Sequence, residues 1–264
     1  MLSAKTCFTL LTMAERHTPI TELVLPETDR NPEIAIEHLP RDDENLQAYL
    51  EFMYNSLRKF YRPTRVPLRA PLYVSPTPGS QQISELRDHF LKKPINPRKP
   101  SAIKTVWIAR EVATSAIIGA LEIQSARASN LRAAEVPIIR ELVAGPSNPR
   151  RIRSLVSAAL PYVALSHFSG QPGTIGAGLK LYARMNDTGE VQEGVDQLIN
   201  HSRIFRPSAE IIDVRLQGRP ESWREARYTA HTDLGITGIL GLLLNMSPEL
   251  QSVVPKDHYI EAWR

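Results

Sequence analysis

The chain has 264 residues, 42% of them hydrophobic, enough to bury a substantial core in one large domain or two small ones. Its formal net charge of +4 suits an anionic ligand but falls short of what nucleic-acid binding by itself demands. A single cysteine, Cys7, excludes an intramolecular disulfide and any site of several thiolates, so a reducing, cytoplasmic setting is expected.

Residues 1–17 combine one early lysine, a short mixed apolar patch and no small-residue cleavage pattern. A secretory signal is not expected there, although an organelle leader stays open and Met13 is an alternative start. No apolar run reaches the roughly 18–20 residues of a membrane span. The longest, 236–244, is interrupted by Thr237, Gly238 and Gly241.

Residues 20–25 and 33–39 read as short strands around a proline-bounded turn at 26–32. Asp42 or Asp43 then caps a helix whose stripe Leu46, Tyr49, Leu50, Met53, Leu57 and Phe60 follows the 3.6-residue period until Pro63. Residues 62–79, with five prolines, predict an extended, solvated loop. A shorter helix spans 81–92 and leads into a basic, proline-containing cluster at 92–104.

Residues 105–108 and 117–123 predict a β-hairpin, and 127–132 a polar turn into a third strand. That third strand opens the stretch VPIIRELVAGPSNPRRIRSLVSAALPYV, residues 136–163. An apolar run (136–143) enters a Gly/Pro/Asn loop (145–149), and Arg150, Arg151, Arg153 and Ser154 open a helix whose apolar stripe is Leu155, Val156, Ala159, Leu160 and Val163. Helix N-termini present unpaired N–H groups and positive potential, so these side chains could grip a phosphate-bearing ligand or simply face water. Pro161 should end or kink that helix.

Beyond it lie a Gly-rich turn at 169–178, a strand at 179–183, a turn at 186–189 and a helix running to about 205. A strand at 210–216 and a hairpin partner at 224–230 follow. Gly235, Gly238 and Gly241 space an apolar helix for close approach to a neighbour, and a second short helix follows Ser247 and Pro248. The fragment 176–178 precedes a strand where a dinucleotide fingerprint would follow one, so it is not read as a cofactor motif.

This order of elements, with VWIAREV followed by IIGALEI and then ELVAGPSNPRRIRSLVSAAL, resembles the GNAT superfamily of acyl-CoA N-acyltransferases over roughly residues 33–230. The resemblance implies an α+β fold: a central, mixed, mostly antiparallel sheet with helices on both faces. It implies an extension at 1–32, an acyltransferase-like domain at 33–230 and a helical extension at 231–264. The implied co-substrate is acetyl-CoA or a longer acyl-CoA, and the acceptor a small-molecule or peptide amine. Leu142, Val143 and Ala144 would hold the pantetheine through their main chain, Arg150, Arg151, Arg153 and Ser154 would surround the pyrophosphate, and Asn186 matches the family's asparagine before the fourth helix. The family's loop is normally glycine-rich, whereas Arg151 and Arg153 stand where small residues are usual. Glu141 or Glu122 would be the base. The family's downstream tyrosine is missing, which leaves Tyr182 or His201 to protonate the thiolate.

Two other classes compete: a non-catalytic protein binding an acidic partner or RNA through basic loops at 62–69 and 92–104, and a small-molecule cyclase or isomerase on a ferredoxin-like barrel. His231, Asp233 and His258 are the best metal candidates, yet no helix-borne pair of the H-E-x-x-H type occurs and no metal is expected. No G-x-S-x-G elbow is present. Trp107, Trp223 and Trp263 are expected in packing.

Overall fold

The structure, a computed structural model, describes residues 20–254 apart from 21, 62–65, 68–72, 92–103, 128–134, 170–177, 216–221 and 232–233. The expectations placed on the leader, most of the basic loops, Gly176, Ala177, Asp233, His258 and Trp263 lie outside these residues.

Helix α1 (Asp43–Tyr61) forms where the sequence places a cap, an apolar stripe and a complementary charge gradient. Asp42 Oδ1 accepts from Asn45 N at 2.9 Å, Asp43 and Glu44 sit in the first turn, and Arg58 and Lys59 sit in the last. Its stripe packs on β5 (Lys104–Glu111), β6 (Ile117–Arg127) and β7 (Glu135–Ala144), with Leu46, Leu50 and Leu57 fully buried against Val106, Ile108, Ala120 and Val143. Helix α2 (Ser80–Leu91) adds Ile83 and Leu86 to the same layer.

The remaining strands are β1 (Leu23–Leu25), β2 (Ile34–His38), β3 (Val66–Pro67), β4 (Tyr73–Val74), β8 (Lys180–Arg184), β9 (Glu210–Arg215) and β10 (Ser222–Thr229). Eight of them make one sheet in the order β1-β2-β5-β6-β7-β8-β10-β9. Every neighbouring pair is antiparallel except β7 and β8. The mixed, mostly antiparallel architecture is therefore as expected, with the strand at 136–143 near its centre. Among the described residues β1 pairs with β2 and β9 with β10 but not with each other, so the sheet is open and the barrel alternative is set aside.

The second face is covered by α3 (Arg150–Ser169), α4 (Glu193–Ser202), α5 (Ile236–Leu244) and α6 (Pro248–Val253). Leu155, Leu160, Leu240, Leu243 and Leu250 join Leu121, Leu142 and Leu181 in one apolar cluster, so the C-terminal helices share the core of the sheet. Trp107 lies in this core, 1% exposed, with its ring edge-on to His38 at 5.2 Å.

Four local expectations are corrected. Part of the solvated loop at 62–79 is ordered instead, because β3 pairs with β4 and Val74 is buried in the layer beneath α1. Pro161 does not end α3, which continues to Ser169 with the proline inside it. The helix expected to reach 205 stops at Ser202, where Arg203 turns the chain at φ 56° and Phe205 bridges to Ala230. Among the described residues Gly235 and Gly238 do not mediate close contact: a Cβ on Gly235 meets nothing within 4 Å there, and one on Gly238 meets Leu234 alone, at 3.5 Å.

Close approach occurs at Gly119 instead, where a Cβ would sit 2.3 Å from Val156 Cγ1 on α3 and 3.3 Å from the Val143 carbonyl oxygen. Gly119→Ala should destabilise the protein by roughly 1–3 kcal/mol through overpacking. Val156→Ala in the same chain should recover part of that loss in a double-mutant cycle read by urea unfolding.

Candidate functional site

The site is built on β7, whose two edges behave differently. Against β6 it pairs along its whole length, with a bulge: Glu122 faces Glu141 and Ile123 faces Ile139, so Arg140 is the extra residue. Against β8 it pairs at only two positions, Ile138 with Lys180 and Ile139 with Leu181, and the strands then part. Gly145 N donates to Ile118 O on β6 at 2.8 Å, and the alternation of an antiparallel ladder turns the main chain of Leu142 and Ala144 away from β6, toward the gap. By the same alternation the main chain of Val143 points to β6.

A cleft of about 680 Å³ lies at this parting. Its walls come from Ala144 and Pro146 at the end of β7, Ser56 and Phe60 on α1, Arg153 on α3, Glu193 and Gly194 at the start of α4, and Tyr228 on β10. Gly194 allows the tight junction, because a Cβ there would lie 2.6 Å from Ser157 Oγ and 3.5 Å from Ala144 Cβ.

No family model matches the chain, and no curated protein matches it in sequence. Solved structures are similar to it at low identity. A GCN5-related N-acetyltransferase from Brucella melitensis has 11% identity and a TM-score of 0.47, with 86% of this chain and 90% of that one covered. Arabidopsis thaliana NAA60 in complex with acetyl-CoA has 14% identity and a TM-score of 0.42, with 75% and 99% covered. A tandem GNAT protein from the clavulanic acid biosynthesis pathway has 15% identity and a TM-score of 0.43; 67% of this chain is covered, and it spans 46% of that longer protein.

At the start of α3 the three arginines separate. Arg153 lines the cleft, 19% exposed, with Nη2 2.6 Å from Glu193 Oε2 and Nη1 donating to the Asn148 carbonyl. Its Nε is buried with no hydrogen-bond partner among the described residues. Arg150 is 81% exposed, 3.8 Å from Glu193, and Arg151 turns to α6, where its Nε donates to Glu249 Oε1 at 3.1 Å. Cations in the first turn oppose the helix macrodipole by about 0.3–1 kcal/mol each, and here Glu193 and Glu249 offset that cost from within the chain. Ser154 is half-buried in the same turn.

Asn186 shapes its own turn: Oδ1 accepts from Thr188 N at 3.0 Å and Glu190 N at 2.8 Å, and Nδ2 donates to Glu190 Oε2. That bond, with one from Thr188, lowers the Glu190 pKa. Gly189, at φ 87°, closes the turn that carries Glu190 to the cleft wall.

Glu122 and Glu141 lie opposite each other beneath α1, 4% and 6% exposed, and neither lines the cleft. Arg184 on β8 donates to Glu141 Oε1 at 3.1 Å, and its guanidinium sits over the rings of Trp223 (4.7 Å) and Tyr61 (5.3 Å). Tyr49 is buried beside them, and desolvation, reinforced by the charges of Glu122 and Glu141, raises its phenol well above the usual range.

Leu181 and Ala183 face the core beneath α3, so alternation puts Tyr182 on the other face, between Arg140 (4.6 Å) and Arg227 (4.4 Å), and not at the cleft. The phenol at the cleft is Tyr228, whose pKa is raised by burial and then by Asp196. Its signal in the sequence was the period of two that pairs it with inward-facing Ala226. His201 is exposed in the last turn of α4.

The Arg151–Glu249 pair sets a pH dependence. The hydrogen bond from Arg151 holds the Glu249 pKa below its ordinary 4.5, so its stabilisation is full above 4.5 and is lost as pH falls through the depressed value. Arg151→Ala should cost no more than about 1 kcal/mol at neutral pH, as befits a partly exposed pair. Urea unfolding of parent and variant should show that difference shrinking as the pH drops below 4.5.

Proposed function

We propose that the chain is an acyl-CoA-dependent N-acyltransferase acting on an amine. The observation that carries this reading is the parting of β7 from β8 after two residue pairs, which leaves main-chain groups of Leu142 and Ala144 without a neighbouring strand. An extended pantetheine can take the place of that strand by β-type hydrogen bonds, and amide N–H groups at the same edge can polarise a thioester carbonyl.

The residues around the cleft fit the rest of such a substrate. Arg153, with its buried Nε, and Arg150 stand at the start of α3, where phosphate oxygens would receive charge-assisted hydrogen bonds. Glu193 occupies both arginines and has to be displaced by the phosphates. In the reaction the amine nitrogen bonds to the acyl carbon, the carbon–sulfur bond breaks, and the amine proton leaves by way of water to the Glu122–Glu141 pair. Tyr228, kept protonated by its raised pKa, supplies the proton that the thiolate takes up.

The non-catalytic reading draws on two observations: Glu122 and Glu141 are buried, and the arginines already have carboxylate partners. Calorimetry with coenzyme A and acetyl-CoA separates the readings. The parent should bind, Arg153→Ala should weaken binding about tenfold, and Glu193→Gln should tighten it several-fold, since 1.4 kcal/mol corresponds to a factor of ten. No binding by the parent, or by Glu193→Gln, would reject the acyltransferase. With an acceptor amine in hand, Glu122→Gln/Glu141→Gln should slow turnover while leaving coenzyme A affinity unchanged.

A further inference from the structure

The cleft at the parting of β7 and β8 does not end at that strand edge. Its wall passes from Ala144 at the end of β7 to Ala226 on β10 and Ile211 on β9. The sheet order β7-β8-β10-β9 separates those ends by three strand spacings, about 14 Å. Ala226 faces Ala183 across one neighbour and Ile211 across the other, so the three side chains share the face of the sheet that carries α3 and α4.

The two ends differ in chemistry. Arg153 and Glu193 mark the end beside α3, whereas Met185, Val191, Ile211 and Ala226 wall the end beside β9. Met185 N donates to Arg224 O at 2.9 Å, and Met185 Cε lies 3.8 Å from where a Cβ on Gly189 would be, so the turn at Gly189 passes over that side chain. Val191 leaves the turn and packs on the main core. The carboxylates of this region are held by their own segments: Glu190 accepts from Asn186 Nδ2 at 3.0 Å and Thr188 Oγ1 at 2.8 Å, and Asp196 accepts from Asn200 Nδ2 at 2.8 Å. Ile211 is 53% exposed, more than any other large hydrophobic side chain among the described residues, and it fronts the cleft opposite the small Ala226.

Resting on the acyltransferase reading, we propose that the β9 end of the cleft is a chamber for the acyl chain, and that the thioester substrate carries an acyl group of several methylenes in place of acetyl. One continuous cavity then matches such a ligand along its length, with phosphates beside Arg153, pantetheine along Leu142 and Ala144, and the acyl chain toward Ile211. An apolar chain suits this end because a polar group lying against Met185, Val191 and Ile211 would give up its water without gaining a partner from them. Covering Ile211 removes apolar surface from water on both sides of the contact.

Calorimetry with coenzyme A and its acetyl, butanoyl and hexanoyl thioesters tests the chamber. Each methylene buried should tighten binding roughly threefold to fourfold, so hexanoyl-CoA should bind about tenfold or more tightly than acetyl-CoA even with part of its chain uncovered. Ile211→Asn, a change to an exposed side chain, should lower the hexanoyl-to-acetyl affinity ratio about threefold or more. Val24→Asn, at a similarly exposed position on β1 outside the cleft wall, should keep the parent's ratio. Binding of coenzyme A with equal affinity for the acetyl and hexanoyl thioesters overturns the chamber and leaves the acyltransferase reading standing. So does a parent-like ratio in Ile211→Asn, or an equal fall in both variants. Failure of the parent to bind coenzyme A or any of the thioesters overturns both.

Discussion

The extra residue in β7 is the constraint on which the rest of the site depends. With Arg140 unopposed on β6, the strand bends and twists, and its pairing with β8 ends at Ile139. An unbroken parallel ladder would engage the main chain of Leu142 and Ala144 from β8 and leave no gap. The bulge also changes which way side chains point, so Arg140 meets Gln124 across the sheet and Glu141 turns to Arg184. One inserted residue thus opens the backbone edge and organises the polar layer beneath α1.

The cleft follows from how closely α3 and α4 can approach that edge. Gly119 lets α3 lie against β6, Gly194 lets the start of α4 reach Ser157 and Ala144, and Gly145 begins the loop between β7 and α3 where a Cβ would lie 2.8 Å from Asn148 Nδ2. Asn148 then ties the loop to the sheet by donating to Ile118 O at 3.1 Å. Two helix N-termini are brought together, and the positive ends of their dipoles converge with Arg150 and Arg153. Glu193 neutralises this concentration of charge from inside the chain.

The buried polar layer obeys the same economy of pairing. Burying Glu122, Glu141, Arg184 and Glu225 carries a desolvation penalty of several kcal/mol per ion unless each finds a partner. Arg184 meets it by binding Glu141 and lying against Trp223 and Tyr61, and Tyr61 in turn donates its hydroxyl to the Arg184 carbonyl at 2.9 Å. Taking one member away would strand a charge in the interior. That explains a layer of several elements holding one arrangement.

Periodicity and capping by themselves determined α1, the strand order from β5 to β7, and the helix opened by Arg150. These are local signals: Asp42 caps its own helix, and a 3.6-residue stripe needs only one apolar layer to bury it. Even the parting strand was legible as an apolar run ending in Gly145. What only the tertiary structure decided was which way side chains face and what they meet. A bulge moves Arg140 and Glu141 out of strict alternation, and strand register turns Tyr182 away from the cleft and Tyr228 toward it. The partners of the arginines, Glu193 and Glu249, lie 40 or more residues further along the chain, where no spacing rule reaches them. Helix packing brings those charges together, because the closest contacts between α3, α4 and α6 are set by the core that all three share.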